Sequence, residues 1–248
     1  MSAPSEFSEK TCLDSLEGAL QKYGFAYEQA VAMRPLLEEY GLKNWESFAT
    51  SWNNLGVDRY MADNGRYRRR RYATYSVSEN AIIRKAHQPH YQSRDYNTLN
   101  GGIERLFKPI TQAAGSHPAL LAVLAVLRRI ATNLTPENLH PKTWHAEVHQ
   151  FRIEANASFA GQPTPEGLHQ DGVDWVCVLM VHRENITSGT TTIYDLNRNP
   201  AGSFTLTNAM DAAFVNDSRV YHGVTAITPL DTTRPAYRDV LVVTLRHE

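Results

Sequence analysis

Gly167-Leu168-His169-Gln170-Asp171-Gly172, running directly into the apolar stretch Val173 to Val181, is the segment on which the fold turns. His169 and Asp171 are two residues apart, so on extended backbone both side chains leave the same face and can grip one metal ion. Fifty residues further on, Arg219-Val220-Tyr221-His222-Gly223-Val224-Thr225 offers a second imidazole on another strand-like segment. Strand pairing that brings His222 beside His169 and Asp171 completes two imidazoles and one carboxylate on one side of an ion, with the opposite positions open. An H-x-D triplet alone arises easily by chance among ten histidines. The glycine-flanked turn before a buried strand, the later histidine and Arg238 near the start of the last strand are what give it weight.

Around that segment the chain alternates like a sheet. Asp174 to His182 is nearly continuous in apolar residues, the pattern of a strand buried on both faces. Gly189 to Leu196, Ser203 to Thr207, Ala212 to Asn216, Arg219 to Ile227 and Arg238 to Leu245 follow at short intervals, with turn residues between them. Upstream, Trp144 to Ile153 places Ala146, Val148, Gln150 and Arg152 opposite His145, Glu147, His149, Phe151 and Ile153. His145-Ala146-Glu147-Val148-His149 is not the helical zinc-protease motif, because there the glutamate directly follows the first histidine. Many short strands without intervening helices predict an antiparallel double sheet of jelly-roll or cupin type, an α+β chain with a mainly β core and flanking helices.

The first third reads differently. Helices are predicted over Leu13 to Tyr23, with Gly24 as its cap, over Met33 to Tyr40 and over Asn44 to Leu55, with a brief strand at Phe25-Ala26-Tyr27. Further helices are expected over Ile103 to Ala114 and from His117-Pro118 to Leu134. The run Arg66-Tyr67-Arg68-Arg69-Arg70-Arg71-Tyr72 would put Arg66, Arg68 and Arg70 on one face of a strand, able to recognise a carboxylate. A solvated edge strand or a nucleic-acid groove are its other uses. One domain over 1–248 is expected, with a helical part over 1–60 and the main β core over 144–248.

A net charge of −1 with 21% charged residues argues against a dedicated nucleic-acid or membrane-surface protein. Two cysteines, Cys12 and Cys177, argue against a disulfide framework. Met1 to Ser15 is polar, without the apolar core of a signal peptide, and Pro118 to Leu127 is short for a membrane span, so a cytoplasmic location is expected.

Taken in order, His169-Gln170-Asp171-Gly172, Asn185-Ile186, Thr192-Ile193-Tyr194-Asp195, His222-Gly223-Val224-Thr225 and Arg238-Asp239-Val240-Leu241 resemble the Fe(II)/2-oxoglutarate dioxygenases. More narrowly they are similar to the branch of bacterial free L-amino-acid hydroxylases that includes L-isoleucine 4-hydroxylase, and the Arg66 to Tyr72 and His149 to Arg152 segments share that likeness. The resemblance implies that His169, Asp171 and His222 bind Fe(II), and that Arg238, with Arg234 as the alternative, pairs with the distal carboxylate of 2-oxoglutarate. It implies hydroxylation or sulfoxidation of a small free L-amino acid by O₂, with decarboxylation of 2-oxoglutarate to succinate. A free amino acid needs a cation for its carboxylate; Arg152, Arg68 and Arg70 are the candidates, with Gln150 lining the site. Two other uses of the same residues remain open: a hydroxylase or demethylase of nucleic acid or protein, and a non-catalytic cupin-like sensor that binds metal and 2-oxoglutarate.

Overall fold

The computed structural model describes residues 11–63, 65–97 and 99–248; the part of the N-terminal reading that concerns Met1 to Lys10 lies outside them. The described chain enters through helices α1 (Cys12–Tyr23), α2 (Ala30–Glu39) and α3 (Trp45–Thr50), with strand β1 (Phe25–Glu28) between the first two. Helix α1 begins where Thr11 caps it. The Thr11 hydroxyl accepts from the Asp14 N–H while the Asp14 carboxylate accepts back from the Thr11 N–H. It ends at Gly24, whose φ of 80° is a left-handed turn that costs glycine little.

Strands β2 (Gly56–Val57), β3 (Arg68–Val77) and β4 (Ile82–Arg84) come next, then the single helical turn α4 (Gln112–Gly115) and the long helix α5 (Pro118–Leu134). Pro118 opens α5 and His117 caps it through Nδ1, which accepts from the Ala119 N–H. Leu120, Leu124, Leu127 and Ile130 recur at helical spacing and are fully buried. The helical stretch Gln112–Leu134 is long and apolar enough by composition to cross a membrane, a length that the reading of Pro118 to Leu127 alone had missed. Its apolar residues lie in the protein core.

The helix expected over Ile103 to Ala114 is absent apart from its last turn. Pro109 cannot supply an interior helical N–H, and the segment runs extended instead. Arg105 pairs with His90, and the Lys108 and Ile110 backbones bond to Tyr72.

The remaining strands are β5 (Trp144–Ala155), β6 (Trp175–Glu184), β7 (Ile186–Ser188), β8 (Thr191–Tyr194), β9 (Pro200–Phe204), β10 (Ala212–Asn216), β11 (Tyr221–Val224), β12 (Ile227–Pro229) and β13 (Ala236–His247). The main sheet has the order β1-β10-β6-β13-β5-β3-β2, with β4 also on β3; β11-β8-β9 and β12-β7 form the smaller opposing sheets. Neighbouring strands in all three run antiparallel. This is the expected mainly β, antiparallel jelly-roll class with helices on one side.

Alternation sorts the main sheet into two faces. Trp175, Cys177, Leu179 and Val181 of β6, Leu241, Val243 and Leu245 of β13 and Ala73, Tyr75 and Val77 of β3 join the helices in one large core. Val176, Val178, Met180, Val240 and Val242 point the other way and meet residues of the smaller sheets, among them Ile193 and Phe204. The basic run is therefore no solvated edge: β3 is paired on both sides, by β5 and by β2 and β4. Leu179 is fully buried between β6 and the helices, so Leu179→Ala is expected to cost about 2–5 kcal/mol, measurable as a lower urea midpoint with an unchanged m-value.

Candidate active site

His169 lies opposite His222. Each donates its backbone N–H to the other's carbonyl at 3.0 Å, an isolated antiparallel bridge that turns both imidazoles to one side with ring centroids 4.4 Å apart. Asp171 closes the group: its two oxygens stand 3.6 Å from His169 Nε2 and 3.6 Å from His222 Nε2. Ligand atoms of all three residues lie within 4.8 Å of one another. His169 Nδ1 donates to the Gly167 carbonyl at 3.0 Å, which orients the ring and aims Nε2 at the centre of the group. The Asp217 carboxylate holds the loop from behind, accepting the N–H groups of Asp171, Gly172 and Val173 at 2.9, 2.7 and 3.2 Å.

Burial and close charge set the protonation of these groups. Burial alone would depress His169, but the carboxylates of Asp171 and Glu166 outweigh it and lift its pKa to about 9. Burial, then the neighbouring His169, lowers His222 to about 4. Asp171, despite its burial, is held far below the usual carboxylate range by the two imidazoles. Burial and the Asp171 charge together push Asp217 up to about 6.

The cleft beside this group is lined by alternate residues of the main sheet. Arg238, third residue of β13, enters it 2% exposed, and its Nε and Nη1 have no hydrogen-bond partner. Burial, then the adjacent Arg183, pulls its pKa down to about 10. A buried cation with open donors is expensive unless an anion completes it. Arg234 is elsewhere: its side chain is 60% exposed and pairs with Glu184 at 2.9 Å.

Arg68 and Arg70 do face the cleft, as the even-numbered side of the arginine run predicts. Both are tied to buried Asp58, Arg68 Nε at 2.8 Å and Arg70 Nη1 at 3.5 Å. Arg70 also donates from Nη2 to His149 Nδ1 at 2.6 Å and stacks over the Phe107 ring. Gln150 and Arg152 do not line the cleft. Both sit on the opposite face of β5, where Gln150 donates to the Ser51 hydroxyl and Arg152 is locked bidentately on Asp239 at 2.7 Å. Odd-numbered residues of β5 (Glu147, His149, Phe151 and Ile153) face the cleft instead.

Glu147 is the hub of the far end. It accepts from the Tyr72 hydroxyl and from His90 Nδ1, both at 2.9 Å, with His145 and His149 Nε2 at 3.7 Å. Burial and the Arg70 guanidinium push His149 down to about 3, so its ring is neutral.

Sequence reading missed two further groups of lining residues. Glu166 sits in the turn before His169, its Oε1 3.6 Å from His169 Nε2 and its Oε2 without a partner. Gln92, Asn97 and Arg105 come from the strap between the paired residues His90 and Arg105. The proline in Ile103-Glu104-Arg105-Leu106-Phe107-Lys108-Pro109 was the signal that this segment is extended.

A triad of this kind next to an unpaired buried guanidinium suits Fe(II) with a dicarboxylate co-substrate: imidazole and carboxylate donors for the ion, open N–H groups for the anion. The comparison with known proteins bears on the same point. The family model described as 2OG-Fe dioxygenase matches residues 49–244. The chain belongs to that family. Dioxygenases of this kind use Fe(II), 2-oxoglutarate and O₂, and this chain is an enzyme of that type.

Among its relatives, L-isoleucine-4-hydroxylase of Bacillus thuringiensis is 26% identical over 182 residues, 72% of this chain and 73% of the relative. The 3(1)-hydroxy-L-isoleucine 4-dioxygenase of Pantoea ananatis is 24% identical over 236 residues, 92% and 93% of the two chains. The solved structure of a bsmA homologue from Methylobium petroleophilum is 29% identical, covers 99% of this chain and 97% of its own, and superposes with a TM-score of 0.85.

Two outcomes follow for the dioxygenase. Asp217→Ala frees the 171–173 backbone and is expected to weaken Mn(II) binding by roughly 10–100-fold, read by anaerobic calorimetry. The Asp171 and Glu166 carboxylates keep a proton on His169 at neutral pH, and an ion held by this imidazole would have to expel it. Mn(II) affinity should therefore climb by about tenfold per pH unit from pH 6.5 and level off near pH 9, with one proton released to buffer per ion at pH 7.

Proposed function

We propose that this dioxygenase oxidises an unactivated C–H bond, or a thioether sulfur, of a small free L-amino acid while 2-oxoglutarate is decarboxylated to succinate. In this reading His169, Asp171 and His222 hold the iron and Arg238 holds the distal carboxylate of 2-oxoglutarate. The observation that carries it is the buried guanidinium of Arg238, with open donors, in the same cleft as the two imidazoles and the carboxylate.

Bound iron supplies the activation of O₂ that an unactivated C–H bond requires. The chain's own part is positioning and shielding. Arg238 fixes one end of the co-substrate and so sets its register against the triad. The Gly167 carbonyl holds His169 in one tautomer, and the three N–H bonds to Asp217 fix where Asp171 points. Val176, Val178, Val240 and Val242 make the wall beside them apolar, which keeps water from the reacting groups.

A small substrate is supported by what the arginine run does. A polymer needs an open cationic surface, but Arg68 and Arg70 are buried against Asp58 and Arg69 pairs with Glu154 at 2.7 Å. Arg71 donates to the Asn54 and Pro109 carbonyls. No observation favours a nucleic-acid or protein substrate over a free amino acid. The names of the two relatives, which act on isoleucine or its hydroxylated form, lend support to an aliphatic amino acid.

Succinate release across the twenty L-amino acids, with iron and 2-oxoglutarate present, is the test. At least one small amino acid is expected to drive turnover, and a flat response across all twenty discards the substrate class. His169→Ala and His222→Ala should abolish both metal binding and turnover. Arg238→Ala is expected to raise the 2-oxoglutarate KM by roughly 10–100-fold; an unchanged value would remove Arg238 from its role.

A further inference from the structure

Among the charges that line the cleft, Arg105 has no carboxylate partner in the described residues and Glu166 keeps an open oxygen. Arg105 is 2% exposed. Among the described residues no carboxylate lies within 4.0 Å of its guanidinium, its Nε has no partner, and its one side-chain hydrogen bond is a long 3.5 Å contact to Gln92 Oε1. Its backbone is fixed, since Arg105 and His90 exchange both N–H···O bonds at 2.9 and 3.0 Å. Glu166 is 10% exposed at its side chain and its buried Oε2 accepts from nothing. A polar group held this way costs free energy until a ligand completes it.

The other charges of the cleft each have an ionic partner or a role, although Arg68 Nη2 and Arg70 Nε also remain open. Arg68 and Arg70 share Asp58, and Arg70 also donates to His149. Glu147 is filled by Tyr72 and His90. Arg238 and Asp171 belong to the co-substrate and the ion in the reading above.

We propose that Arg105 and Glu166 form a clamp for the zwitterion, Arg105 taking the α-carboxylate and Glu166 the α-ammonium group of the substrate amino acid. This rests on the reading of the enzyme as an amino-acid oxygenase and narrows its substrate class. Five guanidiniums (Arg68, Arg70, Arg105, Arg183, Arg238) stand against five carboxylates (Asp58, Glu147, Glu166, Asp171, Asp217) in and directly behind the cleft wall. A dication and a dianionic co-substrate also cancel. The substrate that keeps this enclosed space neutral carries no net charge, and the valine wall suits an uncharged aliphatic side chain. Acidic and basic amino acids bring an unpaired charge into the cleft and are excluded.

The test uses the best amino acid from the twenty-compound screen, beside its α-amide and its N-acetyl derivative. Wild-type enzyme is expected to lose roughly 10–100-fold in kcat/KM for each derivative. Arg105→Gln should raise the KM for the free acid by a similar factor and shrink the gap between acid and amide. Glu166→Gln should do the same for the gap between amine and N-acetyl, with Arg105→Lys restoring part of the loss at its own site. Calorimetry with Mn(II), without O₂, should show weaker amino-acid binding by both variants and 2-oxoglutarate and Mn(II) affinities within about threefold of wild type.

Equal turnover of acid, amide and N-acetyl forms by the wild type overturns the clamp even if the variants do not fold. A tenfold fall in 2-oxoglutarate affinity in Arg105→Gln, or in Mn(II) affinity in Glu166→Gln, overturns it too, by assigning those residues to co-substrate or metal. Failure of every amino acid in the screen would instead sink the underlying reading, a different result from failure of the clamp.

Discussion

The two backbone hydrogen bonds between His169 and His222 are the constraint on which the rest of this molecule depends. The residues are more than fifty positions apart in sequence, and nothing in their side chains draws two imidazoles together. Main-chain pairing does it. Directly opposed residues in an antiparallel bridge present side chains on one face, so the bridge fixes both imidazoles before any ion arrives. Asp171 then needs only to leave the same face two residues later, and Asp217 ensures that it does. The jelly roll matters to function because it brings the turn before β6 alongside β11.

Around this bridge the sheet keeps its apolar and polar tasks on separate faces. The side toward α1, α2 and α5 is built from large apolar groups and carries the stability. The other side admits arginines, histidines and glutamates in numbers that no apolar core could hold. Their charges are mostly matched in pairs, Arg68 and Arg70 on Asp58 above all, so the cleft stays ordered and leaves a few groups open. An enzyme that uses an anionic co-substrate beside a dication needs that economy of open groups.

Much of this was legible in the sequence, for a physical reason in each case. A strand writes its faces with period two, so the β6 run, the triad spacing and the grouping of Arg68 with Arg70 on one face could all be read directly. The capped helices α1 and α5 carry their own boundaries in Gly24 and His117-Pro118. The choice of face on β5 could not be read, because each side carries polar residues: Glu147 and His149 on one, Gln150 and Arg152 on the other. Periodicity says which residues share a side, and only tertiary packing says which side meets the cleft. Gln150 and Arg152 were placed wrongly on that account. Arg105 and Glu166 were hidden by another cause, since both reach the site from irregular segments whose course is set by contacts distant in sequence. Pro109 spoke against a helix there, and the apolar spacing around it suggested one.

The bond from Arg70 to His149 has a consequence for what the cleft will hold. His90, Glu147 and His149 are a second set of imidazole and carboxylate groups close enough to resemble a binding site for an ion. Arg70 has no lone pair and can only donate, so a neutral His149 must accept at Nδ1 and keep its hydrogen on Nε2, the atom nearest Glu147. His90 spends its Nδ1 hydrogen on the same carboxylate. With those nitrogens carrying hydrogen and a guanidinium fixed alongside, an ion at that end of the cleft would have to displace protons and stand beside a fixed positive charge, which makes this group the less hospitable of the two to a cation.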